Sequence, residues 1–387
     1  MDISYILNEL GEEREHYFNA VSPPIIQTSN FAFKKIDDLR LAFEDEMSGY
    51  LYSRGLNPTI DILRKKLAAL DGAEDCLVFN SGASAIFASV FANIKSGDHI
   101  VSVNKPYTWA WKMFDNILPR FGVTTTYVDG TKIENFEKAV LPNTRVIYLE
   151  SPNSLTYELQ DLKAVAELAK AKNIITIIDN SYCTPVFQKP LAMGIDIAMQ
   201  TATKYINGHS DTVGGVLCGT SAMMKKIFDS EYLNMGIGTT PFNAWLMIRG
   251  LRTLPARLDR ITATTGKLLE YLKQHSKVEE VLFPFDPAFP QYQLAREQMS
   301  GACGLVTIVM KAEKMEEIVQ FCESLRHILL AVSWGGHESL ALPKCASLLP
   351  HQFDKTNREH KMVRFYFGLE EPGYIIADIE QAFESIN

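Results

Sequence analysis

Apolar positions along this chain fall into short continuous runs, separated by longer stretches with the 3.6-residue period of amphipathic helices. Ile174-Ile175-Thr176-Ile177-Ile178 is apolar on both faces and β-branched, and it ends on one carboxylate, Asp179. A run of that kind reads as a buried strand of a parallel sheet. A second run, Ile195 to Met199, leads into Thr201-Ala202-Thr203-Lys204 and a glycine-bearing turn. Upstream, Cys76–Phe79, His99–Val103, Val123–Val128 and Arg145–Leu149 read as further strands. Helices are expected from Ser84 to about Lys95, over Trp109–Arg120 and over Asp161–Lys172. Strands alternating with helices imply a mainly parallel α/β sheet covered on both faces.

The ends of the chain have a different texture. Residues 1–57 are polar and irregular, and Pro23-Pro24 forbids a helix there, so an extended arm is expected. Pro58 suits the first turn of a helix that carries Ile62, Leu63, Leu67 and Leu70 on one face and stops at Gly72. The large domain is expected to span 58–250. Beyond it, 251–387 alternates helix (251–272, 315–327, 376–385) with strand (278–283, 303–310, 363–367) and reads as a smaller α+β domain.

Composition narrows the function classes. With 387 residues, 47% hydrophobic and 22% charged, the chain is an ordinary globular protein large enough for two domains. A net charge of −8 without any basic run argues against nucleic acid or an anionic membrane surface as partner. The acidic start MDISYILNELGEEREHYF has no apolar core of a signal peptide, and no run approaches the roughly 20 residues of a membrane helix. Six scattered cysteines without a CxxC, and no HExxH, favour free buried thiols in a reducing cytoplasm and no metal.

Candidate chemistry gathers where strands end. Open parallel sheets bind ligands outside their carboxyl strand ends. An acid after one strand and a lysine flanked by hydroxyls after the next suit an aldehyde cofactor with a basic ring nitrogen and a phosphate, namely pyridoxal 5′-phosphate (PLP). Ser81-Gly82-Ala83, between a strand and a helix, is either a plain N-cap or an anion site made by free backbone N–H groups. Tyr107 follows Pro106 in a loop and can stack on a flat ring. Arg364, inside the apolar run VRFYF, needs either an internal salt bridge or a substrate carboxylate. Ser333-Trp334-Gly335-Gly336 is too rich in turn formers for a strand core. GxGxxG and GxxxxGK[ST] are both absent, which disfavours dinucleotides and nucleoside triphosphates.

DIAMQTATKYINGHSD (196–211) resembles the lysine signature of the cysteine/methionine-metabolism (trans-sulfuration) family of PLP enzymes. YSRGLNPT, FNSGASA, DNSYCTP and GGHESL follow the same family order, so the resemblance runs from about residue 20 to the C-terminus. It implies a fold-type-I PLP-dependent transferase fold and a homotetramer built from catalytic dimers. It implies that Lys204 binds the cofactor aldehyde and shuttles the Cα proton, that Asp179 protonates the ring nitrogen, and that Tyr107 stacks on the ring. Gly82, Ala83, Thr201 and Thr203 are implied as the phosphate site, with Tyr52 and Arg54 reaching the phosphate of a neighbouring subunit. Arg364, helped by Ser333, is implied as the holder of the substrate carboxylate.

Within that family the sequence leans towards cystathionine β-lyase, and so to β-elimination yielding pyruvate, ammonia and a thiol. Ser154 stands where many members carry an Asn near the cofactor, and both 121–126 and 333–336 resemble bacterial β-lyases. Trp109 and Val332 depart from that pattern on the distal side of the substrate. The alternatives are a γ-acting member of the family, a PLP-binding protein lacking lyase activity, and an α/β scaffold without cofactor. Intact Lys204, Asp179 and Arg364 speak against the PLP-binding protein lacking lyase activity, and a colourless purified protein would support the scaffold.

Overall fold

The computed structural model describes residues 1–386, which divide into two compact units. The larger comprises 1–153, 158–207 and 211–252; the smaller comprises 154–157, 208–210 and the chain from Thr253 onward.

The larger unit is built on a seven-stranded sheet: β1 (Asp75–Phe79), β2 (His99–Val103), β3 (Thr124–Val128), β4 (Thr144–Glu150), β5 (Ile175–Asp179), β6 (Ile197–Gln200) and β7 (Gly215–Gly219). Its order is β1-β7-β6-β5-β4-β2-β3, parallel throughout except that β7 runs antiparallel to both neighbours. The mainly parallel α/β sheet expected from the hydrophobic runs is therefore present. On one face, Val146, Tyr148, Ile177, Ile197, Met199 and Leu217 pack with the helix Gly82–Phe91 in one apolar cluster. Each such buried aliphatic side chain contributes about 1.5–3 kcal/mol. The β-branched sequence of β5 suits this setting, since it is buried from Thr176 to Asp179.

Local chemistry sets the element ends. Asn57 accepts the Thr59 amide (3.0 Å) to cap the helix Pro58–Asp71, and Gly72 closes it at φ +71°. The single helix expected over 109–120 is instead a helical turn Thr108–Lys112, a wider π-helical stretch Met113–Ile117 and a 3-10 turn Leu118–Phe121. Pro119, with no N–H to give, cannot continue α-helical pairing there. The helix expected to reach Lys95 ends at Phe91. The one expected over 251–272 is two, Pro241–Arg252 and Leu254–Gln274, broken just before Pro255.

The smaller unit holds a five-stranded sheet: β8 (Val278–Leu282), β9 (Leu305–Met310), β10 (Leu329–Leu330), β11 (Leu340–Pro343) and β12 (Met362–Tyr366). Its order is β10-β11-β12-β9-β8, antiparallel except for the β10–β11 pair. No helix among the described residues is long and apolar enough to cross a membrane.

Residues 1–57 are more structured than their composition suggests. They contain helices Ile3–Asn8 and Ile36–Glu44. The first helix is held by Lys66, which is fully buried. Its Nζ donates to Ile6 O (3.0 Å) and Leu7 O (3.1 Å) and pairs with Glu12 (3.1 Å). Arg252 completes the cluster, donating to both Glu12 oxygens at 2.9 and 3.0 Å. Removing Lys66 takes one cation from the buried Glu12 carboxylate and leaves the Ile6 and Leu7 carbonyls without this donor. Lys66→Met is thus expected to destabilise the protein by about 3 kcal/mol, read as a lowered urea midpoint. An unchanged midpoint would show that the N-terminal segment does not depend on this lysine.

Candidate active site

The register of the parallel strands assembles the first group of polar residues. Glu150 at the end of β4 pairs with Asp179 at the end of β5, and Asp179 pairs with Met199 of β6. Three strand ends therefore stop at one sheet edge. Asp179 is buried and accepts the Ser181 amide at 3.0 Å. The Ser181 hydroxyl in turn accepts the Thr201 amide at 2.7 Å, which ties the chain after β5 to the chain after β6.

Thr201 opens a tight turn in which the Lys204 amide donates to Thr201 O (3.1 Å) and the Asn207 amide to Ala202 O (2.9 Å). Thr203 pins this turn, donating to Gly214 O (3.3 Å) and accepting from the Gly214 amide (3.0 Å). Its hydroxyl thus links the start of the turn to Gly214. The Thr201 hydroxyl instead faces the other half of the cradle: a Cβ placed on Gly82 would collide with Thr201 Oγ1. Gly82 and Ala83 open the helix after β1, where first-turn amides have no helical acceptor. Ser81 and Ser84 cap one another there at 3.1 and 3.2 Å, which leaves the Gly82 and Ala83 amides for an anion.

Electrostatics link the acid, the lysine and the aromatic residue. Burial pushes the Asp179 carboxyl above its ordinary range, while Ser181 hydrogen bonds and the Lys204 charge pull it back. Burial raises the Tyr107 phenol, and the carboxylates of Asp179 and Glu150 raise it further. The Tyr107 backbone is fixed by its own amide, which donates to Glu150 Oε2 at 2.6 Å, while its ring stays exposed. Tyr148 on β4 sits against the same three groups, and its fully buried hydroxyl has no hydrogen-bond partner among the described residues.

These residues fit PLP. The Gly82–Ala83 amides beside Thr201 would receive a phosphate, Asp179 would face a ring nitrogen and the Lys204 amine would take an aldehyde, while the buried Tyr148 hydroxyl has no partner among the described residues. Bound there, the cofactor supplies an electron sink for negative charge developing on a substrate carbon.

Tyr52 and Arg54 belong to the segment just before the helix Pro58–Asp71. Both are exposed and line a cleft of about 510 Å³ in the larger unit, with the Arg54 guanidinium 5.5 Å from the centre of the Tyr52 ring. In the smaller unit, Arg364 on β12 donates to Ser154 O (3.1 Å) and Ser333 O (3.2 Å). Ser154 and Ser333 thus orient the guanidinium through their carbonyls. Ser333 does so at φ +82°, a strained value for a residue with a side chain.

Sequence reasoning overlooked Glu150, Ser181 and Tyr148 as members of the group. Glu150 was legible in principle, since β4 ends on a carboxylate just as β5 does. Tyr148 carried no signal, because an aromatic residue in an apolar strand looks like packing.

A sheet of this topology with a lysine, an acid and an anion cradle at its carboxyl edge defines the PLP-dependent fold-type-I class. The chain belongs to the Cys/Met metabolism PLP-dependent enzyme family, whose model matches residues 6–384. It is 35% identical to the L-methionine gamma-lyase of Treponema denticola over 381 residues, covering 95% of this chain and 94% of that protein. It is 34% identical to the cystathionine gamma-lyase of Rattus norvegicus over 345 residues, covering 88% and 86%. The crystal structure of metB from Corynebacterium glutamicum superposes with a TM-score of 0.91 at 32% identity, covering 100% of this chain and 99% of that one.

Because a methyl at position 82 meets the Thr201 hydroxyl, Gly82→Ala is expected to weaken cofactor retention ten- to hundredfold, from about 1–3 kcal/mol of overlap. Dialysis followed by a cofactor titration measures it. Unchanged retention would move the phosphate away from Gly82.

Proposed function

We propose that this PLP-dependent enzyme is a carbon–sulfur lyase that eliminates a thiol from the γ-carbon of a sulfur amino acid, releasing 2-oxobutyrate and ammonia. The convergence of Lys204, Asp179 and Tyr107 on one sheet edge carries the lyase reading. The preference for the γ-carbon rests on relatives named as gamma-lyases, which outweighs the β-elimination suggested by Ser154 and the 333–336 segment.

In this reading Lys204 takes the Cα proton, and a second proton leaves Cβ before the carbon–sulfur bond breaks at Cγ. Asp179 holds a proton on the ring nitrogen. Tyr107 is the donor to the departing thiolate, since burial and two nearby carboxylates keep its phenol protonated at neutral pH. Arg364 takes the substrate carboxylate, with its fork aimed by Ser154 and Ser333. One water then enters, and 2-oxobutyrate and ammonia leave. Tyr52 and Arg54 serve a neighbouring subunit in a catalytic dimer, two of which make a tetramer.

Product analysis tests the assignment. L-Methionine is expected to yield 2-oxobutyrate and methanethiol, and L-cystathionine to yield 2-oxobutyrate and cysteine. Pyruvate with homocysteine as the only products from cystathionine would overturn the γ assignment in favour of β-elimination. Lys204→Ala is expected to abolish the visible absorbance of bound cofactor, and a persistent band would remove Lys204 from this role. Subunit sharing has its own check: mixing inactive Arg54→Ala chains with inactive Lys204→Ala chains should restore part of the activity, whereas no recovery argues against a shared site.

A further inference from the structure

Directly behind the lysine turn lies a polar pair that none of the chemistry above uses. Gln200 closes β6, and the next residue, Thr201, opens the turn to Lys204. Side chains alternate along a strand, so Gln200 faces away from the apolar cluster that holds Met199. It meets Asp71, the last residue of the helix Pro58–Asp71. Both are buried, at 1% and 2% exposure, and Gln200 Nε2 donates to Asp71 Oδ2 at 2.7 Å.

That single bond leaves a matched deficit. Asp71 Oδ1 and Gln200 Oε1 are both buried, and neither has a partner among the described residues. Two acceptors cannot satisfy one another, and each buried oxygen left bare costs about 1–3 kcal/mol. One proton cures both. A protonated Asp71 donates from Oδ1 to Gln200 Oε1 while Gln200 Nε2 donates back to Oδ2, which closes a ring of two hydrogen bonds.

The groups around Asp71 fit a carboxyl poised to protonate. Burial pushes it up to about 6, against the opposing pull of Cys218, Lys189 and Gln200. The Cys218 thiol on β7 is a weak donor, and Cys76 on β1 stands opposite it in register. Lys189 donates to Leu70 O beside the pair, and its own affinity for a proton is lowered by burial. The bond from Oδ1 to Oε1 forms only in the acid, so it raises the protonation midpoint further.

We propose that Asp71 carries a proton and forms a cyclic acid–amide pair with Gln200, a positioning device that braces the Thr201–Lys204 turn from behind. The inference rests on Lys204 being the cofactor lysine. The sign follows from the raised affinity: the pair is intact at low pH and opens as pH rises through the Asp71 midpoint.

Infrared titration of the wild-type holoenzyme reads the proton directly. The carboxylic-acid carbonyl band missing from Asp71→Asn should fade with a midpoint at or above about 6. A lower midpoint, or no band assignable to position 71, overturns the proposal. Gln200→Leu supplies a second assignment, because losing the acceptor should shift that band. An unmoved band overturns the pairing.

The positioning role is read separately. Asp71→Ala, which lacks both bonds, should retain the cofactor about tenfold less tightly. Asp71→Asn, which can make both bonds without a charge, should restore retention and remove the fall in thermal midpoint that Asp71 contributes as pH rises from about 4, where the unfolded carboxyl titrates, through its raised folded midpoint of about 6. Equal loss in Asn and Ala would show that a carboxylate is required, and would overturn the acid form. Failure of the Lys204 assignment would show instead as absent visible absorbance in the wild type, with the infrared titration unaffected.

Discussion

The parallel register of β4, β5 and β6 is the constraint on which the rest of the larger unit depends. Pairing Glu150 with Asp179, and Asp179 with Met199, makes three strands release polar residues at one edge. Asp179 and Glu150 share a face with Ile177, Tyr148 and Met199, so a slip of one residue would turn the carboxylates and the apolar side chains together to the opposite face. That register is enforced from the core side, where Val146, Tyr148, Ile177, Ile197 and Met199 form one packed surface. The chemistry at the edge is held in place by hydrocarbon below it.

What the edge achieves is a set of opposed electrostatic demands. Asp179 is buried enough to resist ionising, yet Ser181 and Lys204 favour its charge. A cationic ring nitrogen placed beside it would add to the favourable side. Tyr107 experiences the reverse, since the carboxylates that help a cation keep its phenol neutral. Glu150 contributes twice, anchoring the Tyr107 amide and adding to this field. Ser181 also has two roles, because its amide serves Asp179 and its hydroxyl fixes the start of the lysine turn. Small connecting residues thereby couple the acid to the lysine.

Much of the fold was legible because buried parallel strands have an unmistakable signature. A β-branched run as apolar as Ile174–Ile178 suits little besides a strand covered on both faces, and Asn57-Pro58 and Gly72 mark helix ends by their own backbone chemistry. The antiparallel β7 was not legible, because its pairing with β1 and β6 depends on partners distant in sequence. Nor was the break-up of the 108–121 segment, where apolar spacing suits a helix but Pro119 and local packing impose three different windings. The ordered N-terminal segment escaped notice for a related reason. Its anchor, Lys66, looks like any surface lysine until the fold encloses it with Glu12.

The sequence by itself determined the elements, the residue types at the strand ends, and family membership through motifs whose spacing few other proteins share. Those are local properties, written in periodicity and in side-chain chemistry. Tertiary structure alone decided which of those residues work together. It engaged the Thr203 hydroxyl with Gly214 and left the Thr201 hydroxyl beside Gly82, although the two look equivalent in sequence. It turned Ser154 and Ser333 into carbonyl supports for Arg364, and it set Gln200 against Asp71 across 129 residues of chain. Hydrogen-bond partnership is a matter of distance and direction between groups remote in sequence, and only the folded chain supplies both.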